Sequence, residues 1–193
     1  ETNMEQIYTI PVNEAFEKVQ EEGFCTCPFC LMYNRLEDKE LDLILGASMM
    51  EPDVRLKTNE AGFCPEHLSL MFERGKRLPL ALMLESHLDS VAKDLDGNMS
   101  SLFIGKTADN AAKRLDKLEH SCYICDRIEY NFSRMIETAA LLWQNDEKFR
   151  EKASKAPYFC LNHYGKYIRA AKERLSKKEF ADFYKETSEV EKK

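Results

Sequence analysis

One ligand signature occurs twice in this chain of 193 residues, and it limits the possible folds more than any other feature. The first copy is Cys27-Pro28-Phe29-Cys30 followed by Phe63-Cys64-Pro65-Glu66-His67. The second is Cys122-Tyr123-Ile124-Cys125 followed by Phe159-Cys160-Leu161-Asn162-His163. Each couples C-x-x-C to F-C-x-x-H, across 33 residues in one copy and 34 in the other. Six of the seven cysteines and two of the four histidines fall into this plan.

The chemistry of those residue types points to a metal. A two-residue gap lets both side chains of a C-x-x-C or C-x-x-H reach one ion, and two such pairs complete a tetrahedral shell. Six cysteines and two histidines therefore make two Cys3His sites, and zinc, two ions per chain, is the first choice. Pairing within each copy is the expectation: Cys27, Cys30, Cys64 and His67 as one site, Cys122, Cys125, Cys160 and His163 as the other. Exchange of half-sites between the copies stays open. An iron–sulfur cluster can use the same donors. A dithiol redox site of the thioredoxin kind needs a βαβ setting that the pattern does not show.

An odd cysteine count argues against a disulfide framework. The segment from Glu1 to Pro11 lacks a basic end followed by an apolar core, so no secretory signal is expected and a reducing cytosol is the expected location. Position 1 is not Met, and Met4 is a candidate original start. No apolar run approaches the roughly 20 residues of a membrane span.

Only seven glycines and six prolines interrupt the chain, and the apolar spacing is helical nearly throughout. Val12, Ala15, Phe16 and Val19 form one amphipathic set ending at Gly23. Met32, Tyr33, Leu36, Leu43 and Ile44 continue a stripe after the first C-x-x-C. Pro52 opens a short helix that Gly62 closes, and Pro65 opens the next, with Gly75 and Pro79 set to split or kink it. Gly97-Asn98 closes the first half, and 98–106 reads as a connecting loop. A helix carrying Leu115 and Leu118 leads to the second C-x-x-C. Ile124, Ile128, Phe132, Met135, Ile136, Ala139, Leu142 and Trp143 trace one apolar face. Short segments around Phe149, then around Tyr164 and Tyr167, then around Phe180 and Phe183 complete the pattern, with Ser188 to Lys193 fraying. No alternating run reads as a strand.

The repetition extends past the ligands. An apolar residue followed by arginine, Val54-Arg55 and Phe149-Arg150, precedes the second ligand pair at matching places. The expectation is an all-α, pseudo-duplicated helical bundle, with repeats at 1–97 and 98–193 packed as one domain.

The net charge of −6 divides unevenly. Residues 1–96 hold 19 acidic and 9 basic side chains, and residues 97–193 hold 15 and 19. Two halves that attract each other are the simplest account, ahead of a basic docking face. An acidic chain lacks the concentrated positive field of a general nucleic-acid binder. The basic stretch Lys166, Arg169, Lys172, Arg174, Lys177, Lys178 reads as a solvated helix face. Among residues outside the plan, Cys25 reads as packed, His87 as a satisfied structural histidine and His120 as a candidate neighbour of a site. Met49-Met50 and the run Leu78 to Leu84 read as core. Phosphate-loop, dinucleotide, nucleophile-elbow and zinc-protease motifs are missing from the sequence.

The stretches from Gly46 to Arg55 and from Thr58 to His67, with Phe159 to His163 and the two C-x-x-C motifs, resemble a family of uncharacterised proteins of anaerobic Firmicutes, catalogued as a domain of unknown function. The likeness spans most of 5–185. It implies the same ligand plan, a bacterial cytosolic origin and a family whose members often continue past this chain's last residue. It implies no substrate. The functional expectation is a non-enzymatic, metal-stabilised module for an unknown protein partner, with no nucleic acid and no membrane. An iron–sulfur or thiol redox protein is the alternative, and metal storage or sensing a third.

Overall fold

The computed structural model describes residues 2–21, 25–96, 104–190 and 192, with backbone alone for 2–6 and 104–107. Among them are ten α-helices and one 3₁₀ turn, and no strand. The helices are α1 (Thr2–Lys18), α2 (Pro28–Ile44), α3 (Pro52–Ala61), α4 (Pro65–Glu73), α5 (Arg77–Asp96), α6 (Ile104–Glu119), α7 (Tyr123–Asn145), α8 (Glu147–Ser154), α9 (Leu161–Arg174) and α10 (Lys177–Val190). The 3₁₀ turn, Ala47–Met50, lies between α2 and α3. The all-α expectation agrees with this architecture.

Local chemistry explains most of the boundaries. Prolines stand at the first position of α2, α3 and α4, where a missing N–H is no loss. Asp146 caps α8 by accepting the N–H groups of Lys148 and Phe149, at 2.9 and 3.2 Å. Gly75, at φ 74°, separates α4 from α5 as its position suggested. Three boundaries differ from expectation. Helix α1 runs through Pro11 rather than starting after it. α6 begins at Ile104, inside the expected loop of 98–106. α10 continues to Val190, whose side chain is buried and holds the end in place. The expected stops at Gly23 and at Gly97-Asn98, and residues 98–103 of the loop, lie outside the described residues.

Packing divides the chain into two compact units that do not follow the repeats at 1–97 and 98–193. One unit is Glu1–Leu36 with Glu129–Lys193; the other is Glu37–Ile128. The first has an aromatic core. Phe16 meets Phe149 at 4.7 Å between ring centroids, Phe29 meets Tyr167 at 4.8 Å, and Tyr167 meets Phe183 at 4.8 Å. Trp143 closes the series edge-on to Phe183 at 5.1 Å. Offset and edge-on pairs of this kind contribute about 0.5–1.5 kcal/mol each beyond burial. Phe29 lies inside the first C-x-x-C and Phe159 directly precedes Cys160, so the ligand segments are themselves part of this core.

The second unit has an aliphatic core of Leu41, Ile44, Leu45, Met71, Leu80 and Met83, joined by Ile124 and Ile128. Met49 is buried, but Met50 and Leu78 are exposed, so the apolar runs expected as core are core only in part. The end of α3 is braced by several side chains. Arg114 donates to the carbonyls of Glu60 and Asn59, at 2.6 and 2.9 Å, while its Nε holds Asp94 at 2.9 Å. Nδ1 of His87 lies 2.9 Å from the Asn59 carbonyl, the satisfied role expected of it.

Candidate metal centres

All four half-sites are built the same way. The first cysteine of each immediately precedes a helix, and the second ligand is the third residue of that helix. The carbonyls of Cys27, Cys64, Cys122 and Cys160 accept the first helical bonds from Leu31, Leu68, Asp126 and Tyr164, at 3.1, 3.0, 3.0 and 2.8 Å. Cys64 and Cys160 have the extended backbone of an N-cap, with ψ of 160° and 144°. Residues three apart at a helix start face the same side, so both donors of each pair point the same way. The helix N-terminus behind them carries a partial positive charge that favours thiolate.

Each compact unit brings two half-sites together. In the first unit the donor atoms of Cys27, Cys30, Cys160 and His163 all lie within 4.8 Å of one another, and in the second so do those of Cys64, His67, Cys122 and Cys125. The expected pairing within each copy is therefore corrected: the C-x-x-C of one copy meets the C-x-x-H of the other. Helix length is the physical reason. At about 1.5 Å per residue, α2 carries the chain roughly 25 Å from its first ligands and α7 roughly 35 Å. The helices that follow, α3 and α8, have 10 and 8 residues and are too short to bring the chain back.

The spacings are those of one tetrahedral ion. Zinc–sulfur bonds of about 2.3 Å and zinc–nitrogen bonds of about 2.0 Å give tetrahedral edges of roughly 3.8 Å between sulfurs and roughly 3.5 Å from sulfur to nitrogen. In the first unit Cys30 Sγ is 3.6 Å from Cys160 Sγ, and His163 Nδ1 is 3.4 and 3.2 Å from the two. In the second, Cys64 and Cys125 sulfurs are 3.9 Å apart. His67 Nδ1 there faces Cys64, Cys122 and Cys125 at 3.1, 3.4 and 3.3 Å. Every cysteine is a free thiol.

The electrostatics call for a cation. Burial pushes the thiol of Cys30 from its ordinary 9.0 up to about 12, and the like charges of Cys27 and Cys160 add to the effect. Cys125 is raised for the same two reasons, burial first and then Cys122. Cys27 and Cys122 are raised by burial, against a lowering from backbone N–H groups. Among those groups are the N–H of Cys160 at the Cys27 sulfur and the N–H of Cys64 at the Cys122 sulfur, a matched cross-link in each centre. Three thiolates cannot share such a space alone, but one divalent ion turns their repulsion into a shared attraction. Burial, with Lys166 next, lowers the pKa of His163, which favours the neutral imidazole that a metal ligand needs.

The second centre has a further brace that owes nothing to an ion. Tyr123 N–H donates to the Gly62 carbonyl at 3.0 Å, and Ser121 Oγ to the Ala61 carbonyl at 2.7 Å. The residues just before Cys64 and those on either side of Cys122 are thus bonded directly.

The family model described as a family of unknown function, DUF6062, matches residues 4–193, and so takes in both centres and all eight donors. The chain belongs to DUF6062. No curated protein and no solved structure matches it.

Of the residues outside the plan in this DUF6062 chain, His120 is exposed, lies 2.9 Å from the Asp116 carbonyl through Nδ1 and belongs to neither donor group. Cys25 is exposed rather than packed, because it precedes the half-site on a stretch with no helical structure. Two residues that sequence reasoning passed over touch the ligand imidazoles. The Glu37 carboxylate approaches His67 at 3.3 Å, and the Phe132 ring meets His163 at 4.9 Å. Phe132 registered only as part of an apolar face, and Glu37 did not register at all.

Proposed function

We propose that this DUF6062 chain is a zinc protein in which two closed Cys3His centres fasten the helices, and that it serves as a non-enzymatic module presenting a helical surface to a protein partner. The observation that carries this reading is the convergence of two sets of four soft donors at single-ion spacing, each on helix N-termini. Four filled positions leave none for a catalytic water, which is the mark of structural zinc.

The compactness of each donor group supports a single ion over an iron–sulfur cluster, whose separate irons hold their thiolates further apart than one tetrahedral edge. The raised thiols oppose a redox dithiol, which works through a lowered pKa. Exposed Leu56, Leu78 and Leu88 on α3 and α5, and Leu161 on α9, are in keeping with helical surfaces made for contact. Free cysteines suit a reducing, cytosolic setting, and a bacterial origin fits the family resemblance. Among the described residues no helix is long and apolar enough to cross a membrane. The repeats at 1–97 and 98–193 we read as a duplicated unit of ligand pair, helix, short helix, ligand pair and helix.

Metal analysis and an absorption spectrum on anaerobically purified protein test the reading. Colourless protein with two zinc ions per chain is the expected result; brown protein with iron and sulfide would overturn it. Exhaustive chelation is expected to melt the helices, since metal binding here is folding free energy. Full helicity after removal of both ions would instead make this a storage or sensing protein.

A further inference from the structure

Resting on the zinc reading above, we infer that Glu37 is a positioning residue for His67, and that it makes the second-unit centre the more firmly held of the two. Seven residues after the second cysteine of each C-x-x-C comes a residue that meets a ligand imidazole: Glu37 after Cys30, and Phe132 after Cys125. Seven residues are two helical turns, so each of these residues stands on the face of α2 or α7 that carries that cysteine. The same position thus serves opposite chemistry, a carboxylate at His67 and a phenyl ring at His163.

The surroundings of the two imidazoles differ accordingly. His67 is 2% exposed, with Nδ1 turned to three sulfurs, and its Nε2 is buried without a well-formed hydrogen bond. Among the described residues the charged group at that nitrogen is Glu37, 3.3 Å away. A carboxylate at that distance needs only a small turn of either side chain to take the Nε2–H; it would then fix the tautomer that leaves Nδ1 for the ion, and it adds negative charge behind the ligand in either case. His163 is met by aromatic rings instead: Phe132 edge-on at 4.9 Å and Tyr33 at 6.1 Å. The nearest cation is Lys166, whose Nζ lies 5.6 Å from the Phe132 ring centre and is held by Glu129 at 2.6 and 2.8 Å. Glu129 is the carboxylate that acts on this imidazole, and it is tied to Lys166, so among the described residues no carboxylate faces a His163 nitrogen as Glu37 faces His67. The two ions are therefore unequal, and the first-unit ion leaves first.

Release of zinc from the fully loaded, full-length chain to a chromophoric chelator tests this. Two phases of one ion each are expected, with Cys27, Cys30 and Cys160 becoming open to alkylation in the fast phase and Cys64, Cys122 and Cys125 in the slow one, as read by peptide mass spectrometry. Glu37→Gln, which keeps the shape and removes the charge, is expected to accelerate the slow phase about 10- to 100-fold and leave the fast phase unchanged. Glu37→Asp should restore part of the difference. A cobalt-loaded sample supplies a second readout, since the ligand-field bands of the second centre should shift in Glu37→Gln, which a merely structural carboxylate would not cause. A single phase, the reverse order of alkylation, or equal acceleration of both phases would overturn the inference while leaving two bound ions in place. A chain that binds no zinc at all would overturn the zinc reading, and the inference with it.

Discussion

Gly62 shows how much one residue carries near these centres. Its φ of 63° lies in the left-handed region, and an added Cβ would stand 3.0 Å from the His87 ring. Gly75 has a similar φ of 74°, but open space where a Cβ would go. Gly75→Ala should therefore cost only the conformational term, about 1–2 kcal/mol. Gly62→Ala should cost measurably more, because the displaced ring is bonded to the Asn59 carbonyl and Gly62 itself accepts from Tyr123. Equal losses in denaturant melts of the two variants would show that the close approach is immaterial. The same scale sets the limit on reading side chains from sequence. His87 was legible as structural, since a histidine between leucines on a helix needs only one partner. Glu37 was not, because a carboxylate on a helix looks alike whether it meets solvent or an imidazole.

At the scale of elements, the donors were legible and their partnership was not. Residue type and two-residue gaps identify what can bind, and the first helical bond accepted by the leading cysteine at all four helix starts bears out why those gaps recur. Which pairs meet depends instead on where α2 and α7 end, a matter of length and of short return helices that no local pattern encodes. The crossed pairing makes a decisive prediction. Cys30→Ser with Cys160→Ser should lose one ion, since both serve one centre, whereas Cys30→Ser with Cys64→Ser should lose both. Pairing within each copy demands the reverse, and metal content per chain separates the two. The misplaced start of α1 has a similar origin. A proline costs its helix a bond, but Val12, Ala15, Phe16 and Val19, all buried, anchor the helix beyond it.

For the molecule as a whole, the uneven charge of the two halves resolves into pairs inside each unit. Lys152 meets Glu17 in the first; Arg127 meets Glu40 and Lys117 meets Glu60 in the second. The exposed pairs, Lys152–Glu17 and Lys117–Glu60, contribute at most about 1 kcal/mol each, so the proposed ions would outweigh them as fasteners, while Glu40 is buried under Arg127. Acid sensitivity should follow from the metals. Burial raises the thiols of Cys27, Cys30, Cys122 and Cys125, Cys30 to about 12, so without metal these four carry protons at neutral pH. The loaded form binds fewer protons than the empty one, and falling pH therefore favours the empty form. Zinc-dependent stability should be full at neutral and mildly alkaline pH and be lost as pH falls. Melts across pH, with and without zinc, check the sign, and loading a weakly buffered sample should release up to three protons per ion, one per thiol. The nesting of Glu37–Ile128 between the two parts of the other unit has a temporal side. A ribosome delivers the last donor of the inner centre, Cys125, well before His163 completes the outer one. The inner unit can thus acquire its ion and fold while the outer one still waits for half its ligands. Yet Cys27, Cys30, Cys64 and His67 all emerge before Cys122, so order of synthesis alone would favour pairing within a copy, and the packing of the inner unit has to sort the crossed pairs.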